Sequence, residues 1–396
     1  MPKIKTGLDV LVEDYGLQRE FPGQVALLCH NASVNSSLEH ATLAFKKIFS
    51  DRFVKIFGPQ HGFCTDAQDN MIETAHNVHP YFNIPVYSLY SETRVPTEAM
   101  LEGVDHLFID LQDVGCRMYT YIYTMTLILE ACVSKDIEII ILDRPNPLNG
   151  MDLEGNILNM DFTSFIGRHP IPVRHGMTIG EVALMHQKHW THEKANLRIV
   201  AMQGWKRDMF YEDTGLPWLL PSPNLSRIES AFTFPGIVLF EGTKLSEGRG
   251  TTQPLEIMGH PSIEPYGLWD THLSKAFAKS GLEGVAIRPI NFLPTFQKQA
   301  NVACGGFQMH VLNRKIFKPW RTGQWLMREL YKHMDTNFEW LDPPYEYDYD
   351  HMPIDIINGT DKLRKWVVSQ GSMAELDAME NLSGYQSIFS DIKLYT

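Results

Sequence analysis

A chain of 396 residues is too long for one ordinary core, and chains of this size usually divide into two packed units. With 44% hydrophobic and 21% charged residues it is globular in composition, not disordered. A net charge of −12 excludes the basic surface that nucleic acid requires, and no run reaches the roughly 18 apolar residues of a membrane span.

Elements of α/β type come first. Short apolar runs at 25–29, 54–57, 86–89, 106–111 and 137–142 predict strands, and the stretches 38–49, 97–101 and 119–134 carry apolar residues at helical spacing. This alternation predicts βα units around a parallel sheet. Near 150–175, Pro170, Pro172 and several glycines mark a crossing into a second unit. Thr178 and Glu181 then form a capping box for a helix over 182–190, because each side chain can satisfy an orphan amide of the other's backbone. Strands at 197–201, 237–240, 285–288 and 307–312 and helices near 272–279 and 323–334 predict a mixed α+β second unit. The expected division is 1–155 and 156–396, and the Pro/Tyr/Asp-rich stretch 342–353 is expected to be a surface loop without metal.

Five cysteines without a C-x-x-C pair suggest free thiols, not a disulfide framework or a zinc site, and fit a reducing compartment. The first residues carry no apolar export signal, so a cytoplasmic location is expected.

Polar residues gather behind the strands, and in a parallel sheet those strand ends line one crevice. Asn31 follows the first strand. Gly58-Pro59-Gln60-His61-Gly62-Phe63 follows the second and presents Gln60 and His61 on a tight loop, unless His61 only bonds the backbone. Asp110, Asp113 and Arg117 follow the fourth, with Tyr119 close behind, and Asp143, Arg144 and Asn146 follow the fifth on a backbone stiffened by Pro145 and Pro147. Arg174-His175 has the same character. Each of these sets has an alternative reading as a structural ion pair or cap. The sharpest segment is Glu241-Gly242-Thr243-Lys244-Leu245-Ser246-Glu247-Gly248-Arg249-Gly250, in which Glu241 and Glu247 are paired carboxylates of the kind glycoside chemistry uses.

These stretches, together with Lys5–Asp9, Tyr119-Thr120-Tyr121, the segment 170–181 and Pro221-Ser222-Pro223-Asn224, resemble in order the exo-β-N-acetylmuramidase family, glycoside hydrolase family 171, formerly an uncharacterised YbbC-like bacterial domain. The resemblance implies a Rossmann-like N-terminal subdomain without nucleotide and a C-terminal subdomain closing a cleft over it. It further implies release of terminal N-acetylmuramic acid from a muropeptide or disaccharide, with no metal or organic cofactor. Glu241 or Glu247 would then be the acid, with Gln60, His61 and Asp113 as further catalytic candidates. Asn31, Asp110, Tyr119, Asp143, Arg144, Asn146, His175 and Asn224 would hold the sugar, and Arg249, Arg174 or Arg117 would meet its lactyl carboxylate. The family carries a glutamate where this chain has Gln60, and an arginine where it has Cys64. An amide cannot exchange a proton as an acid does. Another carboxylate, among Asp66, Asp69, Glu73, Glu241 and Glu247, would take the role, or the chain is a silent muramyl-sugar binder or sensor.

Overall fold

The computed structural model describes residues 3–68 and 71–396, so the candidate Asp69 lies outside the described residues. Runs of Val, Leu, Ile and Phe buried on both faces form the central strands of a seven-stranded sheet. Its strands are β1 (Val25–Cys29), β2 (Phe53–Gly58), β3 (Asn77–Val78), β4 (Pro85–Ser88), β5 (His106–Asp110), β6 (Glu138–Leu142) and β7 (Asn196–Val200), in the order β3-β4-β2-β1-β5-β6-β7. All neighbours are parallel except β3 and β4. Strand order runs outward from β1 in both directions, so the chain switches sides between β1 and β5, and the crevice opens at their carboxyl ends.

The strand expected at 197–201 as part of the second unit is β7, hydrogen-bonded to β6, so the first sheet continues past residue 155. The expected capping box is present: Thr178 Oγ1 accepts from Glu181 N–H, and Glu181 accepts from Thr178 N–H.

A second, antiparallel sheet holds β8 (Ile257–His260), β9 (Val285–Phe292) and β10 (Cys304–Val311) in the order β8-β10-β9. The expected strand over 237–240 is absent. Ile228–Ile237 is helical and passes into a 3₁₀ turn, Val238–Gly242, with every one of its residues buried. A short apolar run has no period that separates a buried strand from a buried helix. This helix crosses Pro319–Met334 at backbone contact: a Cβ on Gly236 would stand 2.2 Å from Pro319 O, and one on Gly323 would stand 2.3 Å from Gly236 O. The crossing fixes where the 238–251 segment enters the cleft.

One face of the large sheet, with Ala26, Leu107 and Ile139, shares a single hydrophobic core with Phe307 of β10 and with Trp320 and Trp325 of the second unit. The other face packs Val25, Leu27 and Phe108 under Phe45 and Leu8. The two units therefore bury apolar surface against each other as well as within themselves. No helix among the described residues is long and apolar enough to cross a membrane.

The strand ends are locked by polar side chains. Arg144 grips Asp110 with two N–H groups, at 2.6 and 2.8 Å, and donates a third bond to Val34 O. Asp143 accepts from Gly180 N–H, Thr178 Oγ1–H and the hydroxyl of Tyr395, and its burial pushes the carboxyl up to about 6. Asp110 and Arg144 are each at most 4% exposed. Arg144→Met should therefore cost about 3–5 kcal/mol of unfolding free energy in urea at pH 7, because Asp110 is left buried without its counterion. A loss below about 1 kcal/mol would mean that the pair is not what joins the strand ends.

Candidate active site

Beyond the strand ends a narrow cleft, partly open to solvent, lies between the two units. The first unit supplies Gln60 and His61 from the loop after β2, and Met118, Tyr119 and Thr120 from the entry to helix Tyr121–Ala131. The second supplies Phe234, Val238, Glu241, Arg249, Tyr345 and Glu346. The sequence-predicted Gln60, His61, Tyr119, Glu241 and Arg249 thus meet in one place.

A buried chain of charges organises the second unit's wall. Arg249 Nη2 lies 2.5 Å from Glu241 Oε1, and its Nη1 lies 2.6 Å from Glu247 Oε1. Lys298 sits 2.8 Å from the other Glu247 oxygen and donates to the carbonyls of Phe240, Thr243 and Leu245. Burial works to raise the Glu247 carboxyl, but Lys298 and Arg249 outweigh it and hold it below the ordinary carboxylate value. Glu247 is fully buried and holds the Arg249 guanidinium through Nη1. Gly248 and Gly250 both have positive φ, and a Cβ on Gly250 would meet Phe296 N at 2.7 Å. Both positions therefore call for glycine to make the turn that carries Arg249.

Glu241 faces the cleft beside a carboxylate that sequence reasoning missed. Tyr345 donates its hydroxyl to Glu241 Oε2 at 2.8 Å, and the next residue, Glu346, lines the same cleft. Burial and the neighbouring Glu241 charge push Glu346 up to about 7, against the opposing pull of Arg94 and the Tyr90 hydroxyl. Glu346 therefore keeps its proton well above the ordinary carboxylate range, up to about pH 7. It sits at φ 46°, and His61 at φ 69°, in the left-handed region that side chains other than glycine rarely adopt. The expected surface loop 342–353 is a loop, with Tyr347 and Tyr349 exposed, but Tyr345 and Glu346 turn inward. Its signal was a Tyr-Glu-Tyr run after two prolines, where a solvated loop would carry small polar residues.

On the opposite wall, Thr120 Oγ1 donates to Gln60 Oε1 at 2.6 Å, which leaves the amide N–H groups for a ligand. His61 bonds Ala67 O through Nδ1 at 2.7 Å, so Nδ1 carries the hydrogen and Nε2 is an acceptor. Burial, with Arg249 nearby, lowers this imidazole to about 4, and His61 is neutral at pH 7. The Tyr119 hydroxyl is buried without a hydrogen-bond partner among the described residues.

Other sequence candidates lie elsewhere. Arg117 is fully buried and donates to Asn156 O, Ile171 O, Ile357 O and Asn358 O, so its charge is spent on carbonyls that join the units. Arg174 is held by Glu154 and Asp152 at 3.5 Å each and by Leu148 O. Asp113 accepts from Gly115 N–H and faces His175 at 3.6 Å, and Asn146 donates to Met177 O and accepts from Leu148 N–H in its own turn. Asp110, Asp143 and Arg144 form the strand-end lock described above. Asn224 donates to Gln68 O and so steadies the Gln60 loop from outside the cleft. Asn31 and Asp66 line two other surface hollows, and Glu73 pairs with Arg94.

Family models for exo-β-N-acetylmuramidase NamZ match almost the whole chain, the N-terminal model over residues 25–229 and the C-terminal model over 232–395. The chain belongs to the exo-β-N-acetylmuramidase NamZ family. It is 41% identical over 341 residues to the peptidoglycan β-N-acetylmuramidase NamZ of Bacillus subtilis strain 168, covering 86% of this chain and 80% of that protein. Two solved DUF1343 family proteins of Bacteroides fragilis share the fold. One superposes with a TM-score of 0.86 at 28% identity over 100% of both chains, the other with 0.76 at 27% over 99% of both.

The charge chain makes a stability test possible. Arg249→Met takes the guanidinium from both buried glutamates and leaves Lys298 on Glu247 alone, and it should cost about 3–5 kcal/mol in urea at pH 8. The loss should shrink at pH 5, where the stranded carboxylates can take protons. An equal loss at both pH values would assign Arg249 a packing role only.

Proposed function

We propose that this chain is a glycosidase that releases N-acetylmuramic acid from the non-reducing end of peptidoglycan fragments, with Glu346 as general acid and Glu241 as its anionic partner. The observation that carries the reading is the contrast between these two cleft carboxylates: Glu241 is ion-paired to Arg249, whereas Glu346 is raised to about 7 by burial and by Glu241 itself. Glycoside cleavage needs one carboxyl to protonate the leaving oxygen and one to act as base, nucleophile or charge stabiliser, and opposite environments assign those parts. The activity of the Bacillus subtilis relative supports the same substrate class.

Each remaining wall group has a task in that cleft. The Gln60 amide donates to a carbonyl or hydroxyl of the bound sugar, neutral His61 accepts from a sugar hydroxyl at Nε2, and Tyr119 offers its unpaired hydroxyl. With a proton available on Glu346, Gln60 is needed only to orient the substrate, so replacement of the family's glutamate does not leave the cleft without an acid. Arg249 is committed to two glutamates, so a group other than Arg249 meets the lactyl carboxylate. Five unpaired cysteines, four of them buried, suit work in a reducing compartment.

With a chromogenic N-acetylmuramide as substrate, kcat/KM should fall as pH rises through about 7, because the acid is competent only while protonated. Glu346→Gln should lower kcat by about 10²–10⁴-fold and abolish that alkaline limb. The same change should leave the protein at least as stable at pH 8, since a raised carboxyl favours the folded state below its unfolded value and loses that advantage as pH climbs past the folded one. Full activity of the variant with an unchanged pH profile would remove Glu346 from the mechanism.

A further inference from the structure

Outside the cleft, three side chains with lone pairs meet from three segments: Glu130 in the last turn of helix Tyr121–Ala131, His169 in the loop before Pro170, and His186 just after helix Ile179–Met185. One potential ligand atom from each lies within 4.8 Å of the other two. His169 is 7% exposed and His186 2% exposed, while the Glu130 side chain is 37% exposed and opens the group to solvent. His169 Nε2 and His186 Nδ1 are buried without a hydrogen-bond partner among the described residues, and His186 Nε2 stands 3.8 Å from Glu130 Oε1. A buried imidazole nitrogen left unpaired is costly, so a missing partner is a reasonable demand of this site.

We infer that Glu130, His169 and His186 form a binding site for one divalent transition ion of the zinc type. Two imidazoles and one carboxylate are a ligand set that zinc takes, with a fourth position left for water on the solvent side. Hard ions such as magnesium prefer an all-oxygen shell and fit poorly.

The surroundings hold the ligands in place. His169 stacks on Trp190 at 4.1 Å with the planes 12° apart, and His186 meets His169 edge-on at 5.3 Å. Arg168 holds the second Glu130 oxygen at 3.0 Å, which leaves Oε1 turned to the histidines. Bonds of about 2.0–2.1 Å bring tetrahedral ligand atoms to roughly 3.4 Å from one another, so the group must close by about an ångström. Glu130, at a helix end and facing solvent, is the member able to move. The Arg168 charge opposes a cation and weakens binding relative to the same ligands alone. A bound ion would tie the helix that follows β5 to the segment that follows β6, and it would act as a clip on the first unit.

The whole chain, freed of metal with a chelator, would be titrated with Co²⁺ and then Zn²⁺. One equivalent of Co²⁺ should give the visible absorption of a four- or five-coordinate nitrogen and oxygen site, Zn²⁺ should bleach it, and saturating Zn²⁺ should raise Tm. Glu130→Gln, on the solvent side, keeps the fold and should weaken Co²⁺ binding at least tenfold; His186→Gln should abolish the spectrum. A chain that shows neither the Co²⁺ spectrum nor a Zn²⁺-dependent Tm overturns the inference. So does a spectrum that survives both substitutions, which would place the ion on surface histidines.

Discussion

Everything distinctive in the cleft depends on one buried arginine shared by two glutamates. Arg249 bridges Glu241 and Glu247, and Lys298 closes the far end on Glu247 while pinning three carbonyls of the 240–245 turn. Two cations and two anions balance, which is what makes so much charge tolerable out of water. The chain also sets an electrostatic gradient. Glu247, between two cations, is anchored; Glu241, with one cation and a tyrosine hydroxyl, presents negative charge to the cleft; Glu346, beyond it, feels that charge and keeps its proton.

The same arrangement explains why a neutral residue at position 60 need not silence the site. Gln60 takes a hydrogen bond from Thr120 and faces the cleft from the first unit, opposite the carboxylates contributed by the second. Its loop is held by His61 bonding Ala67 O and by Asn224 reaching Gln68 O, so the amide is presented by a fixed backbone. Fixed donors suit orientation of a sugar better than mobile ones. Chemistry then falls to the wall that carries titratable groups.

How far all this was legible in the sequence varied with the physics involved. The strand β1 coincides with its apolar run, and β2, β5 and β6 are readable because a parallel sheet covered on both faces requires predominantly hydrophobic stretches. The 237–240 run failed for the converse reason, since burial on all sides erases the period that tells helix from strand. At the site, Gln60, His61, Glu241 and Arg249 were marked by turn residues beside polar ones, but their roles were not. Arg117 and Arg174 stand beside Arg249 as anion candidates until their partners are visible, because the carbonyls and carboxylates that occupy them lie up to 241 residues away in the chain. For Tyr345 and Glu346 the Tyr-Glu-Tyr run is the only signal, and it does not tell which of its residues turn inward.

The central claim is that Glu346 holds its proton near neutrality because it is buried and because Glu241 stands beside it as an anion. The direct measurement is a pH titration of the Glu346 side-chain carboxyl by carbon-13 NMR, in the unchanged chain and in Glu241→Gln. A midpoint near about 7 that moves down when Glu241 loses its charge is the result this account requires. A midpoint in the ordinary glutamate range, or one that does not respond to Glu241→Gln, would contradict it.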